Sequence, residues 1–179
     1  MPPPGGLVAE DLDRLPDLPA RTELIDGRLV LAGPQSSFRS TVVDLLVEGL
    51  RRAVPSEFRV RRGMSVVLDA RQRPQPDVSV VRAAAVRDDG GETFYRAQDL
   101  LLVAEVVPVE SGERKRALYA AAGIPHFWRV EDDCGEPVVR VHERDPATRA
   151  YALTGIHQDR LKLTVPFDLD VDLSRIHRL

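Results

Sequence analysis

The sequence is poorest in sulfur. It has one cysteine, Cys134, in a polar stretch beside Gly135. A single thiol forms no intrachain disulfide and cannot build a four-thiolate zinc site. The four histidines, His126, His142, His157 and His177, are scattered, and none has metal-ligand spacing. No apolar run approaches the length of a bilayer span. The start, Met1-Pro-Pro-Pro-Gly-Gly, has neither the basic residues nor the apolar segment of a signal peptide. These absences lead to the expectation of a cytoplasmic protein with no membrane partner. A basic excess is also missing. Lys and Arg total 25 against 28 Asp and Glu, a formal charge of -3, so any nucleic-acid contact must be local or weak. Repeats and low-complexity tracts are absent. The acidic alternation Asp168, Asp170, Asp172 lacks the glycine of a calcium loop, with Leu173 in its place, and reads as the solvated face of a strand.

What is present suits one domain over residues 1–179, with 43% hydrophobic and 30% charged residues. Residues 1–20 are expected to be loose apart from a short helix at Val8–Leu15 resting on Leu12 and Leu15. Thr22–Leu31 reads as a hairpin around Asp26-Gly27, a pair that accepts positive φ at both positions. Glu23 on its first strand reads most simply as the partner of a nearby Arg. Ser36 or Ser37 caps a helix whose apolar positions, Val43, Leu46, Val47, Leu50 and Val54, follow a helical period. Phe58–Asp69 is expected to be extended, with a bend at Gly63. The arginines from Arg51 to Arg73 are expected to be a solvated face rather than a phosphate-binding one.

Two acids ask for an explanation. Asp77 stands at the start of a strand after Pro74 and Pro76, with Ser79 and Val81 on its face and Val78 and Val80 opposite. Glu105 interrupts Leu100–Val107, a run of Leu, Val and Ala that reads as a strand buried on both faces. Two readings are open for it. Either the carboxylate is buried and needs a metal ion, a cation or a shared proton, or the strand is ending and it points to solvent. Arg82–Asp99 is expected to be irregular. A helix from about Ser111 to Ala122, stopped by Gly123 and Pro125, puts Lys115, Leu118, Tyr119 and Ala122 on one stripe. Lys115 then lies close to the end of Glu105's strand. Later strands are expected at His126–Val130, at Val138–His142 with Tyr151–Leu153, and at Phe167–Leu173. Two carboxylates on neighbouring strands form a hard-oxygen site suited to magnesium. A lysine beside them can stabilise charge on a phosphate.

Four blocks carry a family resemblance: Glu23-Leu-Ile-Asp-Gly-Arg-Leu-Val30, Pro76-Asp-Val-Ser-Val-Val81, Val103-Ala-Glu-Val-Val107, and Lys115 through Trp128. In this order they resemble the Uma-two family of restriction-endonuclease-like proteins, within the PD-(D/E)XK nuclease superfamily. The resemblance implies an α/β (α+β) fold, a restriction-endonuclease-like mixed β-sheet flanked by helices with an N-terminal β-hairpin. It implies a Mg²⁺-dependent (or Mn²⁺-dependent) endonuclease acting on DNA, with Asp77 and Glu105 as metal ligands, Lys115 as base or charge stabiliser, and Glu23 nearby among the catalytic residues. Family likeness also implies a homodimer, although no stripe of the sequence marks its surface. The chain departs from the pattern at several points. Val107 stands where the superfamily places a Lys, and the link from Glu105 to Lys115 is short. Ser111 replaces an Asp, and Phe38-Arg39 stands where a His is common. These departures support two alternatives, a catalytically degenerate binding or assembly module, and acid–base chemistry on a small molecule at the same residues.

Overall fold

A computed structural model describes residues 5–108 and 112–179. Among these residues twelve strands and two α-helices follow in the order β1 (Thr22–Ile25), β2 (Arg28–Leu31), α1 (Ser37–Ala53), β3 (Phe58–Arg62), β4 (Ser65–Val67), β5 (Val78–Arg82), β6 (Phe94–Arg96), β7 (Leu100–Val106), α2 (Glu113–Ala121), β8 (His126–Asp133), β9 (Glu136–Arg144), β10 (Tyr151–His157), β11 (Arg160–Leu163) and β12 (Leu169–Asp172). Six of them form the central sheet in the order β10-β9-β8-β7-β5-β3. Only β7 and β8 run parallel, joined through α2, and the other neighbours are antiparallel. This is the expected mixed sheet flanked by helices, with β1 and β2 as the N-terminal hairpin.

Each face of the sheet carries its own apolar layer. Val78 and Val80 of β5 and Leu102, Ala104 and Val106 of β7 pack with Val43, Leu46 and Leu50 of α1. Val81 of β5 and Leu100 and Val103 of β7 pack on the other side with Tyr119 and Ala120 of α2. Strand alternation therefore turns Glu105 toward α2, since it shares a face with Val103. β7 is covered on both faces, as its unbroken apolar composition predicts. The solvent reading of Glu105 is excluded, because the residue is only 2% exposed.

Several expectations are revised. The N-terminal turn is a 3₁₀ segment, Ala9–Asp13, anchored by buried Ala9, while Leu15 is exposed. Gly63, at φ +59°, turns the chain so sharply that Phe58–Asp69 divides between two sheets. β4 pairs with β6, a strand inside the stretch expected to be irregular. β11, which pairs with β12, has no counterpart in the sequence reading. Arg73 leaves the solvated arginine face. It is 3% exposed and grips both carboxylate oxygens of Asp13 at 2.7 and 2.9 Å. Among the described residues no helix is long and apolar enough to cross a membrane.

Candidate functional site

β5 and β7 pair antiparallel with Val78 opposite Ala104. Asp77 and Glu105 are the next step of that register, so the start of one strand meets the end of the other with both acids side by side. Asp77 is 4% exposed. β1 delivers the third acid. Leu24 exchanges backbone hydrogen bonds with Arg73 at 3.0 and 2.7 Å, which lays β1 beside the Arg73–Gln75 segment. Glu23 Oε1 then accepts the Gln75 backbone N–H at 2.6 Å.

α2 supplies the cation that joins two of these acids. Lys115 Nζ lies 2.5 Å from Glu105 Oε1 and 2.7 Å from Glu23 Oε1. The Tyr119 hydroxyl, one turn later on the same stripe, donates to Glu105 Oε1 at 2.6 Å. Glu23 thus pairs with a lysine of α2 and not with the nearby arginine its own stretch suggests. Burial raises the Glu105 pKa, Lys115 works against that rise, and the charges of Asp77 and Glu23 add to it, leaving it at about 6. Burial opposes the Lys115 charge too, but the Glu105 and Glu23 carboxylates outweigh it and hold its pKa above the usual lysine value. Burial, then the Glu105 charge, pushes the Tyr119 pKa well up, so Tyr119 serves as a neutral donor.

The short link after β7 does not pull Lys115 away. Arg129, in register with Glu105 on β8, donates to the Pro108 carbonyl at 3.1 Å and to Glu113 at 3.1 Å. It thereby ties the exit of β7 to the first turn of α2. Its Nε donates to Glu131 at 2.6 Å, and Glu131 in turn accepts from Arg140 at 3.0 Å. Ser111, named above in place of the family's Asp, lies outside the described residues.

Asp77 has different partners. Arg39 grips it in a fork, Nε to Oδ1 and Nη2 to Oδ2, both at 2.9 Å. Arg21 Nη2 adds a bond to Oδ1 at 3.0 Å, and the Val106 backbone N–H donates to Oδ2 at 2.8 Å. Arg39 sits in the first turn of α1, where the Ser36 hydroxyl caps the helix by accepting the Arg39 backbone N–H at 3.1 Å. Beside Arg39 a cleft of about 440 Å³ opens, lined also by Pro34, Phe38, Val107 and Asp132.

All four expected site residues therefore meet at one end of the β5–β7 pair. Arg39, Arg21 and Tyr119 were not foreseen as members. Tyr119 was on the stripe with Lys115, and a hydroxyl four residues from a lysine was its signal. Arg39 follows the cap residue by three positions, while nothing in the sequence marks Arg21. The chemistry of the donor set bears on the divalent ion that the family suggests. Asp77 already accepts four hydrogen bonds, about the capacity of a carboxylate, two of them from a planar guanidinium fork. Three acids, Asp77, Glu105 and Glu23, face three cations, Arg21, Arg39 and Lys115. In this arrangement the residues do not fit a divalent ion. Among the described residues no group of three or more acid, histidine or cysteine ligands is arranged to hold one.

A family model described as "Uma2: Putative restriction endonuclease" matches residues 9–174. The structure resembles that of a protein from Anabaena variabilis, described as a putative nuclease belonging to DUF820. The two share 14% identity and a TM-score of 0.64, over 96% of this chain and 98% of that one. That likeness shows a shared fold. NucC of P. aeruginosa in its cAAA-bound form matches at 12% identity over 69% of this chain and 85% of its own, with a TM-score of 0.36, too low to support any argument. No curated protein sequence is similar enough to count as a relative.

Proposed function

The chain belongs to the Uma2 family of restriction-endonuclease-like proteins, and from that membership we propose that it hydrolyses phosphodiester bonds of DNA at the Glu105–Lys115 site. One observation carries the proposal. In a fold shared with a protein described as a putative nuclease, a half-buried ammonium is held between two carboxylates where β5 starts and β7 ends. Ionised above about pH 6, Glu105 takes a proton from the attacking water. The water oxygen bonds to phosphorus as the bond to the leaving ester oxygen breaks. The Lys115 ammonium meets the growing negative charge and gives its proton to the leaving oxygen. Glu23 holds Lys115 in place. No step runs through a divalent ion, because Asp77 is saturated by its own arginines.

The test is cleavage of supercoiled plasmid and single-stranded DNA in Mg²⁺, Mn²⁺ and EDTA, wild type against Glu105→Ala. The wild type is expected to cleave at least about 10²-fold faster, the lower end of what a positioned acid–base group contributes. Equal rates would remove the hydrolytic role. The arginine clamp on Asp77 favours a second reading, a nuclease fold that binds DNA without cutting it. Affinity that falls steeply with salt, together with no cleavage under any of the three conditions, selects that reading.

A further inference from the structure

We infer that the Arg39 guanidinium, supported by Arg21, is the resident counter-cation of Asp77 and takes the place of a divalent ion in this site. The inference shares its residues with the hydrolytic reading but is read out by metal binding, so it stands or falls separately from cleavage.

Three observations converge on it. The first is hydrogen-bond capacity. Both Asp77 oxygens are engaged by Arg39, and each carries a second donor, Arg21 on Oδ1 and the Val106 backbone on Oδ2. Magnesium needs a ligand oxygen at roughly 2.0–2.1 Å in near-octahedral geometry, so it could enter only by breaking the fork. The second is charge. Asp77 is 4% exposed, and an ion of charge two added to three acids already matched by three cations would leave a net double positive charge in a poorly solvated place. The other expected ligand is no freer, with Lys115 at 2.5 Å from Glu105 Oε1 and the Tyr119 hydroxyl at 2.6 Å. The third is rigidity. Arg39 reaches Asp77 from a capped helix whose apolar face is packed on the sheet. Its approach is set by the fold, unlike that of a loop side chain that happens to fold inward. A guanidinium is planar and matches a carboxylate edge-on, so it engages both Asp77 oxygens at once.

The experiment measures Mn²⁺ binding to the full chain without DNA, by calorimetry and by the loss of free-Mn²⁺ paramagnetic resonance signal. The wild type is expected to bind no Mn²⁺ up to about millimolar concentration. Arg39→Ala with Arg21→Ala, which leaves Asp77 without its guanidinium partners, is expected to bind at least about tenfold more tightly. Adding Asp77→Asn is expected to abolish that gain. Should the alanine pair fail to fold, Arg39→Gln keeps a hydrogen-bond donor while removing the charge. Two results would overturn the inference: wild-type binding that is lost in Asp77→Asn, or no gain in any folded arginine variant. A wild type that binds Mn²⁺ through Asp77 yet cleaves DNA equally fast in EDTA would refute this inference and spare the hydrolytic reading. A wild type that neither binds metal nor cleaves, with binding gained in the arginine variants, would do the reverse.

Discussion

Replacing Lys115 by Met strips two carboxylates of a shared cation while keeping most of the side-chain volume. The Lys115 side chain is 18% exposed, and those of Glu23 and Glu105 are 12% and 3%, so water does little to screen the loss. Removing one partner of a buried ion pair costs about 3–5 kcal/mol, because the group left behind is charged and unsolvated. At roughly 2–4 °C per kcal/mol for a domain of this size, the melting temperature should fall by about 10 °C near pH 8. The pH dependence identifies the cause. The folded pKa of Glu105, about 6, lies above its ordinary 4.5, so between these values the native state holds more protons than the unfolded one. Stability contributed by this group is therefore present at low pH and lost as pH rises through that window. In Lys115→Met the influence that lowers the pKa is gone, so the window extends upward. The gap between wild type and variant should be large at pH 8 and clearly smaller at pH 5, where Glu105 is protonated in both. Thermal unfolding followed by circular dichroism at the two pH values decides the matter. A deficit of the same size at both, or none at either, would refute the charge argument and leave Lys115 as ordinary packing.

Tyr119→Phe removes a donor to charged Glu105 without changing the ring. It should cost about 1–3 kcal/mol and move the acidic limb of any cleavage–pH profile above 6, whereas an unmoved limb would show that Glu105 does not set it. Gly49→Ala should lower the melting temperature although alanine is the better helix former by about 1 kcal/mol, because a β-carbon there would overlap the Val171 side chain of β12. A stabilised Gly49→Ala would mean that α1 and β12 are not in close contact.

The parts of the fold that the sequence made legible are those whose period is unbroken. α1 follows from its apolar stripe and Ser36 cap, and β7 from a run with no alternation. The hairpin follows from Asp26-Gly27, both at positive φ in the structure. β6 and β11 are only three and four residues long, and each is held by its partner strand, which local pattern does not encode. Within the site, Glu105 was legible because an acid in an apolar run is conspicuous, and Lys115 because helical spacing aimed it. Arg39 and Arg21 were not, since surface arginines are common and only the three-dimensional position of Asp77 tells these two apart. Arg73 failed for the same reason, being read as one of a solvated series when Asp13 had drawn it inside.

Why the site holds together follows from how its charges are shared. Glu105 bonds the ammonium and a neutral hydroxyl, Glu23 bonds the same ammonium and a backbone N–H, and Asp77 takes both guanidinium groups and a backbone N–H. Each acid thus has at least one cation and one neutral donor, the condition under which burying a carboxylate becomes tolerable. The donors come from Arg21, α1, α2, β7 and the Arg73–Gln75 segment, so the network also fixes where the helices and the N-terminal hairpin sit against the ends of β5 and β7. Arg129 extends the same logic to the link. By bonding the Pro108 carbonyl and Glu113, it fixes the start of α2 and hence the reach of Lys115. The proposed hydrolysis and the inferred exclusion of a divalent ion both draw on this one arrangement. Lys115 is held between two acids, and Asp77 is engaged on both oxygens by guanidinium groups.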